Sequence, residues 1–123
     1  MGLSNFLNRQ EKHIDFSELN VQLLTTLSDE MGETLIKAGF GFWVDYLSQI
    51  RLAADTQNEE EFKRLIISNE LFGGAGAIWE IWIEDGQLRA EFNKQFCDYV
   101  DLLKTMGIKN ERINQVRSTF DKY

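Results

Sequence analysis

Proline, cysteine and histidine are almost missing from this sequence of 123 residues, which has no proline, one cysteine and one histidine. The lack of proline, with glycines grouped at a few places, is typical of long helices joined by short connections and argues against an all-β fold. A single cysteine, Cys97, excludes an intramolecular disulfide and a zinc site built on several cysteines. A single histidine, His13, cannot supply the paired ligands of a di-iron bundle, and we expect it to be solvated or to cap a helix.

Long apolar stretches are also missing. No segment approaches the roughly 20 uncharged apolar residues that a membrane-spanning helix needs, and the N-terminus contains no apolar run of signal-peptide length. The opening residues do not complete the myristoylation pattern, because position 6 is Phe6 rather than serine or threonine. We therefore expect a cytoplasmic protein with no membrane partner.

Basic residues are scarce in the middle of the chain. Residues 13–85 hold fourteen acids against four bases, a balance of −10 in a chain whose net charge is −7. Because phosphate binding requires a clustered basic face, we expect no nucleic-acid partner. A protein partner with a basic binding face suits this charge better. The alternative is that the acids only keep a small protein soluble.

The residues that are present predict an all-α fold. With 123 residues, of which 43% are hydrophobic, the chain has the size of one domain. We expect residues 1–123 to form a single all-α bundle of about five helices. Apolar residues at helical spacing predict the helices 17–31, 33–55, 88–106 and two more that begin after Asn58 and Asn110.

Local patterns predict where these helices begin and end. Asp15 and Glu18 form a capping-box pattern before the first helix. Gly32 is its expected end, and Gly107 is the expected end of the helix 88–106. The acids Glu59, Glu60 and Glu61 follow the cap Asn58, where the helix dipole favours negative charge.

The predicted helix 33–55 has an apolar surface wider than one face, because Phe42 and Tyr46 extend it. Such a helix is central, or it buries one face and offers another to a partner. Gly39 and Gly41 inside it would cost about 1 kcal/mol each relative to alanine, so we expect a neighbouring helix against the bare backbone.

The segment Leu71 to Asp85, LFGGAGAIWEIWIED, combines three glycines, two tryptophans and three acids. A phosphate-binding loop would need a positive group beside the glycines, whereas this segment leads into acids. A short β-hairpin over 78–90 is an alternative, since residues 78–83 are β-prone and Asp85-Gly86 is a favoured turn. We favour a glycine-rich turn near 73–77, followed by a short helical or extended piece that buries some large apolar side chains. Trp79 and Trp82 are then core anchors or the centre of a protein contact.

A catalytic or metal site is not expected. Cys97 lies within a predicted helix beside Asp98, and a nearby carboxylate raises the pKa of a thiol and so opposes thiolate formation. Asp98 and Asp101 could share a helix face, but two carboxylates make a weak cation site. We expect no catalytic residue, cofactor or metal.

Two stretches together resemble a bacterial domain family of unknown function. Its pattern is a glycine followed four residues later by Trp and then Leu, and further on a G-G-M-G-S-x-N-D segment. The first stretch runs from Gly39 through Trp43 to Leu47. The second, from Gly73 to Glu80, keeps the three glycines and one acid but replaces Met, Ser, Asn and Asp by Ala75, Ala77, Trp79 and Glu80. The resemblance covers residues 35–80 and implies a small helical bacterial protein.

Some members of that family resemble immunity proteins, the cytoplasmic inhibitors that protect a bacterium from a secreted toxin. We therefore expect a non-enzymatic protein that binds a cognate toxin and blocks its active site. The expected partner-binding residues are Glu59, Glu60, Glu61, Trp79, Glu80, Trp82, Glu84 and Asp85. The alternative is a homodimeric structural or adaptor module of a bacterial cytoplasmic complex, with the wide apolar surface of the helix 33–55 as the contact face.

Overall fold

The fold is all-α, as predicted. The computed structural model describes residues 13–73 and 76–121. These ranges contain five helices, which are α1 (Glu18–Lys37), α2 (Trp43–Asp55), α3 (Glu59–Ile67), α4 (Gly86–Met106) and α5 (Glu111–Phe120). A single helical turn, Asn69–Phe72, follows α3, and a 3-10 turn, Ile78–Glu80, precedes α4.

Helix α4 has its main contacts with two of the other four helices. This helix lies mainly against α1 and also contacts α5, while α1 packs on α2 and α2 packs on α3. The largest side chains with almost no exposed surface come from α4, α3, α1 and α2, and they include Tyr99, Phe62, Phe92, Phe96, Leu24, Met31, Leu35, Leu47 and Ile50. One apolar face of α4 therefore forms the centre of the core.

The β-hairpin alternative over 78–90 is wrong. No residue within 13–73 and 76–121 lies in a β-strand. Residues 78–80 form the 3-10 turn, and Asp85 accepts hydrogen bonds from the backbone of Gln87 and Leu88 at 2.9 and 3.0 Å. Asp85 is thus the N-terminal cap of α4, so the Asp-Gly pair begins a helix instead of turning a ribbon.

The boundary between the first two helices also differs from the prediction. Helix α1 continues through Gly32 to Lys37, and the chain turns at residues 38–42. Gly39 has φ +89°, a conformation that glycine adopts readily, and Phe40 donates its backbone N–H to Leu35 O at 2.8 Å. Gly39 and Gly41 therefore connect two helices, so they carry no helix-interior cost.

The other helix ends follow local chemistry. Ser17 caps α1 in place of Asp15, whose Oδ1 accepts from the Ser17 backbone N–H. Asn58 and Asn110 cap α3 and α5 as predicted, each accepting from the backbone three residues on. Gly107 ends α4 with φ +117°.

The segment before α1 contacts the C-terminal end of α4. Asp15 donates its backbone N–H to Met106 O at 2.7 Å, and Ile14 is buried. A Cβ atom on Gly107 would lie 3.3 Å from His13 O, so glycine also permits this close approach. None of the helices in the described part is long and apolar enough to cross a membrane.

Two glycine-to-alanine substitutions test the boundary between α1 and α2. Gly39→Ala should lower the free energy of unfolding by about 1–2 kcal/mol, because a Cβ atom disfavours positive φ. Gly32→Ala should raise it by about 0.5–1 kcal/mol, because Gly32 is inside α1 and a Cβ there would make an ordinary 3.6 Å contact with Val44. Urea denaturation measures both. An increase in the free energy of unfolding for Gly39→Ala would contradict the turn and would indicate a continuous helix through residue 39.

Candidate functional site

The side chains of Trp79 and Arg112 form hydrogen bonds to the backbone at the beginning of the glycine-rich segment. Trp79 donates its indole N–H to Gly73 O at 2.9 Å. Arg112 of α5 donates to Phe72 O at 2.8 Å and to Gly73 O at 3.3 Å, and its guanidinium lies 5.6 Å from the centre of the Trp79 ring. The predicted turn near 73–77 includes residues 74 and 75, which lie outside the described residues. Its entry at Gly73 is fixed to α5.

Arg89 holds the segment that leads into α4. Its guanidinium lies 4.4 Å from the centre of the Trp82 ring, and Nη1 donates to Ile83 O at 2.7 Å and to Glu84 O at 3.3 Å. Ile83 is buried, whereas Trp82 is 65% exposed. Arg89 and the buried Ile83 therefore fix the segment in place, while the Trp82 ring remains exposed to solvent.

A groove lies between this segment and the helices α4 and α5. Its volume is about 550 Å³, and it is lined by Trp79, Glu80, Ile81, Trp82, Arg89, Asn93, Thr119 and Phe120. The volume falls within the range of ligand-binding clefts, roughly 300–1,000 Å³. Most of the lining surface is apolar, since it comes from two indoles, one phenyl ring and one isoleucine.

Three acids occur in the segment that forms one side of the groove or directly after it. Glu80 lines it, and Glu84 and Asp85 follow in the same segment. All three residues are exposed, and none forms an ion pair with any residue that the structure describes. Arg89 is the cation that lines the groove, and it is bound to backbone carbonyls. With Arg112 beside Trp79, the three acids and the two arginines of this surface have a net charge of −1.

The acids at the start of α3 have different surroundings. Glu59 Oε1 accepts from the Ile14 backbone N–H at 2.6 Å, and Oε2 lies 3.0 Å from His13 Nδ1 and 3.5 Å from Lys63 Nζ. Partial burial acts to raise the pKa of Glu59, but these hydrogen bonds and the charge of Lys63 outweigh it and place the pKa below its ordinary value. Glu59 thus fastens the segment before α1 to α3.

The two neighbours of Glu59 differ from it. Glu61 accepts from Arg64 at 2.6 and 2.9 Å. Glu60 is exposed and has no ion pair within the described ranges. Of these three acids, Glu60 is therefore the one whose carboxylate makes no ion pair with the described residues.

The eight residues predicted to bind a partner fall into two groups. Trp79, Glu80, Trp82, Glu84 and Asp85 lie together at the N-terminal end of α4. The group Glu59–Glu61 lies near the C-terminal end of α4, because Glu59 binds Ile14 and the adjacent Asp15 binds Met106. A helix of 21 residues is about 30 Å long, so the groups are near opposite ends of α4.

Five residues that line the groove were not among the predicted binding residues, and they are Ile81, Arg89, Asn93, Thr119 and Phe120. Arg89 is four residues after the cap Asp85, a spacing that places it in the first turn of α4 beside the preceding segment. Recognising Asp85 as a cap would have drawn attention to it. Phe120 contacts Phe96 at 5.2 Å between ring centres and also lines the groove.

The other candidate groups lie in ordinary surroundings. The pKa of the half-buried Cys97 thiol is raised, as expected, but mainly by burial, and the carboxylate of Asp98 is a smaller cause. Asp98 pairs with Lys94 and Asp101 pairs with Arg117, so these two carboxylates do not act as one site. Among the described residues, no three His, Cys, Asp or Glu side chains are placed to hold a metal ion.

No protein-family model, curated protein or solved structure matches this chain significantly. The resemblance of residues 35–80 to a bacterial domain family remains a prediction.

The role of Glu59 predicts a pH-dependent effect. Its lowered pKa means that its charge stabilises the fold above the ordinary pKa of about 4.5, and this contribution is lost as the pH falls through the folded-state pKa. Glu59→Gln should therefore lower the free energy of unfolding by about 1 kcal/mol at neutral pH and by progressively less below pH 4.5. Glu60→Gln is the matched control and should have no effect. Equal behaviour of the two variants in urea titrations across pH would contradict the assignment.

Proposed function

We propose that this protein is an immunity-type inhibitor, which binds a cognate bacterial toxin and blocks its active site. The observation that carries the proposal is the groove at the start of α4, where an exposed tryptophan lies beside carboxylates without ion-pair partners in the described part of the chain. The resemblance of residues 35–80 to a family with immunity-like members adds to it.

The form of the groove supports binding to a protein. Tryptophan is enriched among the residues that dominate binding energy at interfaces. Arg89 and Arg112 hold the segments that carry Trp82 and Trp79 before a partner arrives, so less conformational freedom is lost on association. The surrounding carboxylates would attract a basic face and speed its approach.

A non-enzymatic role also agrees with the chemistry of the groove. The titratable side chains that line it are Glu80 and Arg89. Arg89 donates to two backbone carbonyls and covers Trp82, so it already has a structural task. An acid alone on an exposed segment does not form the paired nucleophile and base of covalent catalysis.

The proposal predicts a salt-sensitive complex with the product of the adjacent gene. Trp82→Ala should weaken the complex at least about 30-fold, the effect of losing a hot-spot residue worth roughly 2 kcal/mol. Glu84→Lys should slow association about tenfold at low salt and much less at high salt. Co-chromatography and surface plasmon resonance measure these effects.

Glu60→Lys provides the matched charge control, because Glu60 is also exposed but lies at the opposite end of α4. It should leave affinity within about twofold of the unsubstituted protein. A toxin complex that tolerates Trp82→Ala and Glu84→Lys but is lost with Glu60→Lys would move the site to the start of α3. An unchanged elution volume for the mixture would contradict the proposal itself.

A second candidate function is self-association through the connection between α1 and α2. Phe42 is 70% exposed and Ile36 is 60% exposed, and a Cβ on the intervening Gly41 would lie 3.3 Å from Ile36 Cγ1. The Phe42 ring also contacts Phe40 and Trp43. These residues give a contiguous apolar surface, which supports a homodimeric structural or adaptor module.

The homodimer alternative predicts that the sedimentation coefficient rises with protein concentration. Phe42→Ser should abolish this rise, because it removes the most exposed ring of the patch. Leu23→Ser changes another exposed side chain on a distant part of α1 and should not affect it. A sedimentation coefficient that is constant with concentration for the unsubstituted protein excludes this alternative.

A further inference from the structure

The groove at the start of α4 offers three kinds of contact at one place. Its walls are aromatic and come from Trp79, Trp82 and Phe120. Among the lining side chains, the donors of the Trp82 indole, the Asn93 amide, and Nε and Nη2 of Arg89 have no hydrogen-bond partner among the described residues. Glu80 is the carboxylate in its lining, and Glu84 follows in the same segment. A ligand that uses all three must combine an apolar surface, exposed carbonyl groups and a positive charge.

The two tryptophans differ in a way that matters for binding. The Trp79 indole N–H is already donated to Gly73 O, so this ring contributes its apolar surface alone. The Trp82 N–H has no such partner within the described ranges, and its ring is 65% exposed. Trp82 can therefore contribute both an apolar wall and a hydrogen bond to a ligand carbonyl.

A polyproline II segment has these properties. It has no internal hydrogen bonds, so its carbonyl groups remain available to donors, and its rigid backbone loses little freedom on binding. Aromatic-lined grooves are the usual docking sites for such segments. A lysine or arginine beside the prolines would face Glu80, the carboxylate in the lining of the groove, which has no cationic partner in the described part of the chain.

We propose that the groove binds an extended, proline-containing segment of a partner protein in the polyproline II conformation, flanked by a basic residue. The inference concerns the same surface as the proposed function and adds the chemistry of the partner's segment. It does not depend on the partner being a toxin.

Other occupants fit the groove less well. A helix satisfies its own backbone carbonyls, so it would leave the Trp82 and Asn93 donors unused. A strand would need a sheet edge to extend, and the described residues contain no strand. A second copy of this chain cannot supply the segment, because the sequence contains no proline.

Calorimetric titration of the full-length protein with short peptides tests the inference. The probe is acetyl-Arg-Pro-Leu-Pro-Pro-Leu-Pro-amide. One control replaces every proline by alanine, and another replaces the arginine by glutamate. The proline peptide should bind at least tenfold more tightly than the alanine peptide and at least threefold more tightly than the glutamate peptide, and the second difference should shrink at high salt.

Variants of the protein separate the three kinds of contact. Trp82→Ala should reduce the affinity of the proline peptide at least tenfold. Trp82→Phe keeps an aromatic wall but removes the donor, so its loss should be intermediate. Asn93→Ala should reduce affinity by a few-fold, and Glu60→Lys should leave it unchanged. Circular dichroism of each variant checks that the helices are retained.

Two results would overturn the inference. One is equal binding of the proline and alanine peptides, and the other is no binding of the proline peptide at millimolar concentration. If either occurs while the toxin complex still depends on Trp82, the inference fails and the proposed function stands. If the peptide binds as expected and the neighbouring gene product does not, the groove is a proline-segment site and the immunity role fails.

Discussion

The burial of one face of α4 is the constraint on which the rest of the structure depends. Phe96 lies at its centre, with ring-centre distances of 5.8 Å to Phe92, 5.9 Å to Phe72 and 5.2 Å to Phe120. It therefore joins α4 to α5 and to the single helical turn before the glycine-rich segment. Burial of a phenylalanine side chain contributes about 1.5–3 kcal/mol, so this cluster is a major source of stability. Because Phe120 also lines the groove, the core supports the candidate site directly.

Hydrogen bonding and charge act together around that core. The arginines nearest the groove, Arg89 and Arg112, bind backbone carbonyls of the two segments that flank the 3-10 turn. Arg89 donates through Nη1 and Arg112 through Nε and Nη2, and neither forms an ion pair with a carboxylate in the described ranges. The acids of the same segments consequently keep their negative charge exposed. One set of contacts thus orders the segment and leaves its surface acidic.

Local signals in the sequence were enough to predict the helical class and most helix ends. Asn58, Asn110 and Gly107 act through their own side chains or backbone angles, so the neighbouring sequence is sufficient to place them. The neighbouring sequence did not show which of Gly32 and Gly39 lies inside a helix and which lies at the turn. The first packs inside α1 near Val44 and the second takes a positive φ, and this difference arises from how α1 and α2 pack.

The candidate site shows the same limit. Sequence reasoning found the tryptophans and acids of the segment, because residue type alone marks them as contact residues. It could not foresee that Glu59 binds the backbone of Ile14, which is 45 positions earlier in the chain. It also could not find the donor contacts of Arg89, since these depend on where residues 81–85 pass over α4. The packing of distant segments therefore decides that Glu59 makes a structural contact, whereas Glu80 and Glu84 stay exposed to solvent.

The most direct test of this account is the nuclear magnetic resonance spectrum of the three indole N–H groups while the neighbouring gene product is added. Trp82 is exposed beside the groove, Trp79 is hydrogen-bonded within it, and Trp43 is buried next to Phe42. The account predicts a large change in the Trp82 signal and none in that of Trp43. A change at Trp43 with no change at Trp82 would contradict it and place the interaction at the connection between α1 and α2.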